Sequence, residues 1–356
     1  MNIGKQNYRV DWVDYAKGIC IILVVMMHST LGVEKALGET GALNAFIEWA
    51  RPFRMPDFFM ISGLFLARRI NAPWRDYLDK KVVHFAYFYI LWMTIQFALK
   101  GYGIYAEGGP AELTRQYALG FIDPFGTLWF IYLLSIFFVV TRLLEGVPKI
   151  LVFAAAAALE IAPIHTGWMV PDEFAARYVY FFAGYWLASQ IFASAQVMWQ
   201  RRLITVFAIL GLWSAGHSWL VLNGMSDMPF VSLMLGLAGC GAVITVATLI
   251  ARSGGVQWLR YLGENSIVIY LAFFLPMSVT RTIGLKLVPD IHPDMLSAGT
   301  TLMGVAVPVL MFWAVRKTPL SFLFRRPQWT GLNPVAEPKQ GWHSGGHDSL
   351  QQAQIR

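Results

Sequence analysis

Apolar stretches of about 20 residues, the length a helix needs to cross a hydrocarbon core, recur at short intervals along this chain. Backbone polar groups placed in lipid must be satisfied within the protein, so such stretches leave only helices or a closed barrel. The roughly ten-residue alternation of barrel strands is missing. The expected fold is therefore all-α, a polytopic integral membrane protein with about ten transmembrane helices. Their expected positions are about 13–33, 52–70, 82–100, 125–145, 148–165, 177–195, 203–223, 229–251, 264–284 and 296–315. Composition points the same way, since 56% of the 356 residues are hydrophobic and only 14% are charged, unlike a soluble domain.

Lys and Arg crowd into alternate connections, as they do on the cytoplasmic side of a membrane. Lys5 and Arg9 precede the first stretch, Arg68, Arg69, Arg75, Lys80 and Lys81 fill the second connection, and Arg316, Lys317, Arg325 and Arg326 follow the last stretch. The intervening connections carry acids such as Glu34, Glu39, Asp172, Glu173, Asp290 and Asp294. This pattern places both termini in the cytoplasm. It also makes the net charge of +7 mainly an orientation signal, with anionic lipid of the bilayer as a secondary contact. Basic residues dispersed among spans give no reason to invoke nucleic acid.

Three segments follow: a cytoplasmic N-terminal segment at about 1–12, a transmembrane domain at about 13–316, and a cytoplasmic, largely disordered tail at about 317–356. The tail is rich in Pro, Gly, Gln and Ser from about Pro327, and its His343 and His347 read as solvated residues, not metal ligands. The first apolar stretch is too long for a cleavable signal and lacks a small-residue cleavage site, so it is expected to stay as a span. Cys20 and Cys240 both fall inside spans and read as small buried apolar residues.

Ionisable residues inside spans are costly and mark functional sites. Lys17 and His28, eleven residues apart in the first span, fall on one helix face about 16 Å apart. They can line one cavity without touching. Asp14, one turn before Lys17, can neutralise it at the interface instead. No phosphate-binding glycine loop, dinucleotide fingerprint, paired-cysteine zinc spacing or His-Glu-x-x-His helix occurs, so metal and nucleotide chemistry have no support.

Four segments occur in order. They are Asp14-Tyr-Ala-Lys17 through His28, Phe53-Arg54-Met55-Pro56-Asp57-Phe58-Phe59-Met60-Ile61-Ser62-Gly63, Trp129-Phe130, and Leu262-Gly263-Glu264-Asn265-Ser266 through Tyr270-Leu271. Together they resemble the landmarks of the membrane acyltransferase-3 family, closest to its fucose 4-O-acetylase-like branch, over about residues 9–316. The resemblance implies a ten-span enzyme of the bacterial inner membrane. Such an enzyme moves an acyl group, usually acetyl, from cytoplasmic acyl-CoA to a hydroxyl of a sugar, an exopolysaccharide or a lipid-linked glycan of the cell envelope. Family members place a basic residue, usually Arg, before the histidine of the first helix with ten residues between them. Lys17 takes that position and His28 matches the histidine, so a phosphate would meet a point charge and not a planar fork.

Acyl transfer from a thioester to an alcohol needs a base for the hydroxyl proton and a stabiliser for the oxyanion. An imidazole titrating near neutrality suits the first task, which assigns His28. Asp57 is expected to orient His28 across the first helix pair, and Arg54 either pairs with Asp57 or polarises the thioester carbonyl. The phosphates of acetyl-CoA, the expected cosubstrate, call for cations. Lys17, Arg68, Arg69, Lys80 and Lys81 are the candidates, with His84 beside them, although orientation alone would also place the loop cations there. The family often has two arginines separated by two residues near this point, where this chain has Lys81-Val-Val-His84.

Trp129 can stack on a sugar ring or sit in an interfacial aromatic belt, and Tyr270 can line the cavity or tie helices together. Ser62-Gly63 suits close helix approach. Phe273 stands where some relatives have a second histidine. A secondary transporter or flippase using the intramembrane Lys, His and Asp as a proton or anion site is the alternative, although no internal five-span duplication is visible. A catalytically silent glycan-binding protein is a third option.

Overall fold

The structure, a computed structural model, describes residues 11–124, 126–288 and 290–332. Among the described residues there is no strand. The helices are α1 (Asp11–Leu37), α2 (Leu43–Gly63), α3 (Trp74–Leu78), α4 (His84–Leu119), α5 (Trp129–Leu143), α6 (Lys149–Ile161) and α7 (Met169–Trp186). They continue as α8 (Ala188–Gln200), α9 (Leu203–Leu222), α10 (Val231–Ser253), α11 (Gln257–Glu264), α12 (Ser266–Ala272), α13 (Phe274–Leu287) and α14 (Pro293–Val315).

Five of these elements are long and apolar enough to cross a membrane: α1, the run Trp74–Leu119, α9, α10 and α14. The pair α12 and α13, bent by 52° at Phe273, makes a sixth if it counts as one broken span. This is a multi-pass membrane protein. Apolar α5 is only 15 residues long. The stretch expected at 177–195 divides at Leu187 into α7 and α8.

The largest displacement of a helix start is in α2, which begins nine residues before its expected position and ends at Gly63. Pro52 and Pro56 lie inside the helix. Such prolines are tolerated where neighbouring helices and side chains satisfy the freed backbone groups. The true start of α2 is set from far along the chain: Asp294, in the first turn of α14, accepts the Ala42 and Leu43 N–H groups at 3.0 and 2.9 Å. A carboxylate there satisfies donors that a helix start leaves unpaired.

α2 crosses α7 at backbone contact. A Cβ on Gly63 would strike the Phe181 carbonyl oxygen, and one on Gly184 would strike that of Met60. Ser62-Gly63 thus permits the close approach its small residues suggest. α1 and α11 meet similarly, with Gly263 against the Asp14 carbonyl and Gly18 against that of Leu259. By contrast, α9 buries only Val206 and His217 and exposes Ile204, Leu212 and Leu222, as a helix facing lipid does.

Part of the expected tail is ordered. Residues 319–332 make two short 3-10 turns that strap the ends of α3 and α4. Arg326 donates to the Asp79 carboxylate at 2.7 Å and to its carbonyl at 2.9 Å, and the Leu332 N–H donates to the same carboxylate at 2.7 Å. Trp92 and Tyr87 add bonds to the carbonyls of Leu323 and Phe322. Low complexity hid this strap because its anchor lies some 250 residues upstream. His343 and His347 lie outside the described residues.

Candidate active site

α1 carries three chemically distinct groups in sequence along its length. Lys17 and Cys20 lie one turn apart, and His28 lies eight residues further on, about 12 Å along the axis. The Lys17 ammonium sits 3.6 Å from the Asp14 carboxylate, so the expected interfacial pair forms. Lys17 also lines a cavity of about 130 Å³. Its wall includes Lys17 and Cys20 from α1, Ser62 from α2, Phe130 from α5, and Ser266 and Tyr270 from α12. Each of the four sequence landmarks, scattered over some 250 residues, contributes to this one space.

Tyr270 lines that cavity with its ring and ties helices with its hydroxyl. The hydroxyl donates to the Thr127 carbonyl and accepts the Phe130 N–H at 3.2 Å. It thereby satisfies a backbone donor in the first turn of α5. Trp129 lies outside the cavity lining, partly buried, with its ring 6.1 Å from that of Phe59.

The structure corrects the expected partner of Asp57. Its Oδ2 accepts the Cys20 thiol at 2.6 Å, and among the described residues its Oδ1 has no hydrogen-bond partner and no hydrogen bond joins it to His28. Eight residues of α1 separate the position Asp57 faces from the histidine it was expected to orient. Nor does Asp57 pair with Arg54. The Arg54 guanidinium donates to the Ile47 carbonyl at 3.2 Å, and its Nε is unpartnered. Helical side chains lean toward the N-terminus, which carries the long Arg54 chain back along α2 and away from Asp57.

His28 packs its ring 5.3 Å from Phe273, at the break between α12 and α13. The position at which some relatives have a second histidine is therefore in contact with the first. Among the described residues no hydrogen bond fixes either imidazole nitrogen.

A second, cationic cleft of about 230 Å³ holds Arg69, Lys80 and Lys81 together with Asp76 and Tyr77. Arg68, the remaining loop candidate, is exposed and does not line it. Lys80 and Lys81 stand on a π-helical segment, Asp79–Val83, that leads into α4, and such local widening recurs at functional sites. The Lys81 ammonium lies 4.4 Å over the Phe138 ring, and Phe85 stacks on the same ring at 6.0 Å. Because Phe85 also lines the first cavity, the stacked pair of Phe138 and Phe85 stands between Lys81 and that cavity.

Cys20 is the site residue that sequence reasoning missed. It lies one turn from Lys17 and across from a carboxylate-bearing span, a pattern that separates it from an ordinary buried cysteine. Among the described residues no group of three His, Cys, Asp or Glu is placed to hold a metal ion.

Comparison with known proteins gives the same direction. Residues 10–315 match the family model described as an acyltransferase domain. The chain is also similar to the inner membrane protein YcfT of Escherichia coli strain K12, at 26% identity over 287 residues, covering 73% of this chain and 77% of that protein. No solved structure matches. A match over this extent, on residues that converge on one cavity, shows that the chain belongs to the acyltransferase-3 family of membrane acyltransferases.

Proposed function

We propose that this protein is an O-acyltransferase that moves an acetyl group from cytoplasmic acetyl-CoA to a hydroxyl of a sugar, exopolysaccharide or lipid-linked glycan of the bacterial envelope. It would span the inner membrane about ten times with both termini in the cytoplasm. The observation that carries the proposal is the cationic cleft of Arg69, Lys80 and Lys81, with the stacked pair of Phe138 and Phe85 between Lys81 and the cavity where the four landmarks converge. Coenzyme A combines phosphates with a slender apolar arm ending in the thioester. Cations in the cleft and aromatic rings beyond them suit those two parts.

In this reading the phosphates rest on Arg69, Lys80 and Lys81, and the thioester enters beside Lys17 and Ser62. The acceptor hydroxyl approaches from the outer side. His28, with both ring nitrogens free of protein hydrogen bonds among the described residues, takes its proton as oxygen attacks the acyl carbon. The inner-membrane name of the relative supports the location, and the crowding of Lys and Arg into alternate connections supports the orientation.

The test is donor dependence. Substituting Lys80→Ala and Lys81→Ala together is expected to raise the apparent KM for acetyl-CoA by about tenfold or more while changing kcat little. Unchanged donor dependence removes the cleft from the donor site. Glycan or ion flux without any release of free coenzyme A would favour transport instead.

A further inference from the structure

The pair formed by Cys20 and Asp57 has no role in the reaction just described, yet it stands at the wall of the cavity assigned to the thioester. Cys20 is reduced, lines that cavity, and donates its thiol proton to Asp57 at 2.6 Å. Asp57 is 1% exposed, and among the described residues no cation pairs with it and its second oxygen has no hydrogen-bond partner. A buried carboxylate left this way is costly, and its hydrogen bond is with the sulfur. The other cysteine, Cys240, is equally buried but does not line the cavity. Lys17, one turn from Cys20 on the same wall, supplies a positive charge to a developing oxyanion.

We propose that Cys20 is an acyl-carrying nucleophile: the acyl group passes from coenzyme A to the Cys20 sulfur before it reaches the acceptor, with Asp57 as the base. The proposal rests on the acyltransferase function above. In the first step the thiol proton moves to the Asp57 carboxylate as sulfur attacks the thioester carbonyl. The tetrahedral adduct collapses with loss of coenzyme A as its thiolate, which takes a proton from water. One thioester replaces another, so no redox partner is needed. In the second step the acceptor oxygen forms its ester bond while the carbon–sulfur bond to Cys20 breaks. The hydroxyl proton is relayed by water to His28, about 12 Å along α1 from Cys20, and the Cys20 thiolate recovers the proton held by Asp57.

The experiment uses the purified full chain in detergent with radiolabelled acetyl-CoA, and in parallel succinyl-CoA, and no acceptor. The expected result is a protein-bound label approaching one per chain that neutral hydroxylamine removes. Peptide mapping should place the mass of one acyl group on the Cys20 peptide, a result that requires no variant. Cys20→Ala should reduce the label to background, Cys240→Ala should leave it unchanged, and Asp57→Asn should slow its appearance more than it lowers the final level. The proposal is overturned if the parent shows acceptor-dependent coenzyme A release without label, or if Cys20→Ala keeps the parental rate of release. If the folded parent gives neither label nor release, the acyltransferase function itself fails and this step falls with it.

Discussion

In the proposed reaction Lys17 and His28 divide the work of one helix between a charge and a base. Lys17 pairs with Asp14 at 3.6 Å and still reaches the cavity, so its removal takes a cation from the donor end without emptying a packed core. Lys17→Ala is expected to raise the apparent KM for acetyl-CoA by about tenfold with a smaller effect on kcat, and Lys17→Arg to restore much of it. Steady-state kinetics across donor concentrations check this. Residue types and spacing singled out Lys17 and Tyr270, which line the cavity, and His28, which packs on Phe273 outside its lining, because an ionisable or hydroxylated residue in a span has to be satisfied. Partnerships across helices were not legible. Asp57 binds Cys20 and not His28, since which face of α2 meets which turn of α1 depends on helix rotation and on where α2 begins.

At the level of elements, the crossing of α2 and α7 sets the cavity, because Phe58, Ile61 and Ser62 face it from the turn next to Gly63. Gly63→Leu would drive a side chain into the Phe181 carbonyl, and rigid backbone cannot yield as a side-chain end can. A loss of at least about 3 kcal/mol is expected, seen as a lower melting temperature in detergent, whereas Ser62→Ala should shift it little. An equal melting temperature for Gly63→Leu would mean that the two helices are not in contact. Apolar length located most helices but misplaced the ends of α2, whose actual cap, Asp294, comes from α14. The break at Phe273 and the strap over residues 319–332 were equally hidden, one because α12 and α13 form a continuous apolar run and the other because Asp79 and Arg326 are remote in sequence.

Across the whole molecule, one cavity gathers residues from α1, α2, α5 and α12, with the stacked pair of Phe138 and Phe85 between it and Lys81 of the cationic cleft. The class of fold was readable from hydrophobic length alone, and the family from four short segments in order. The convergence of those segments is a property of packing. The central claim is that acyl transfer passes through this space with His28 as base. It is tested most directly by following free thiol release from acetyl-CoA by the purified protein, with and without an envelope-glycan extract, for the parent and His28→Ala. The parent should show acceptor-stimulated release, and His28→Ala should lose it by about a hundredfold or more at equal yield of folded protein. Equal release by the variant, or no release by the folded parent with acetyl- or succinyl-CoA, would contradict the claim.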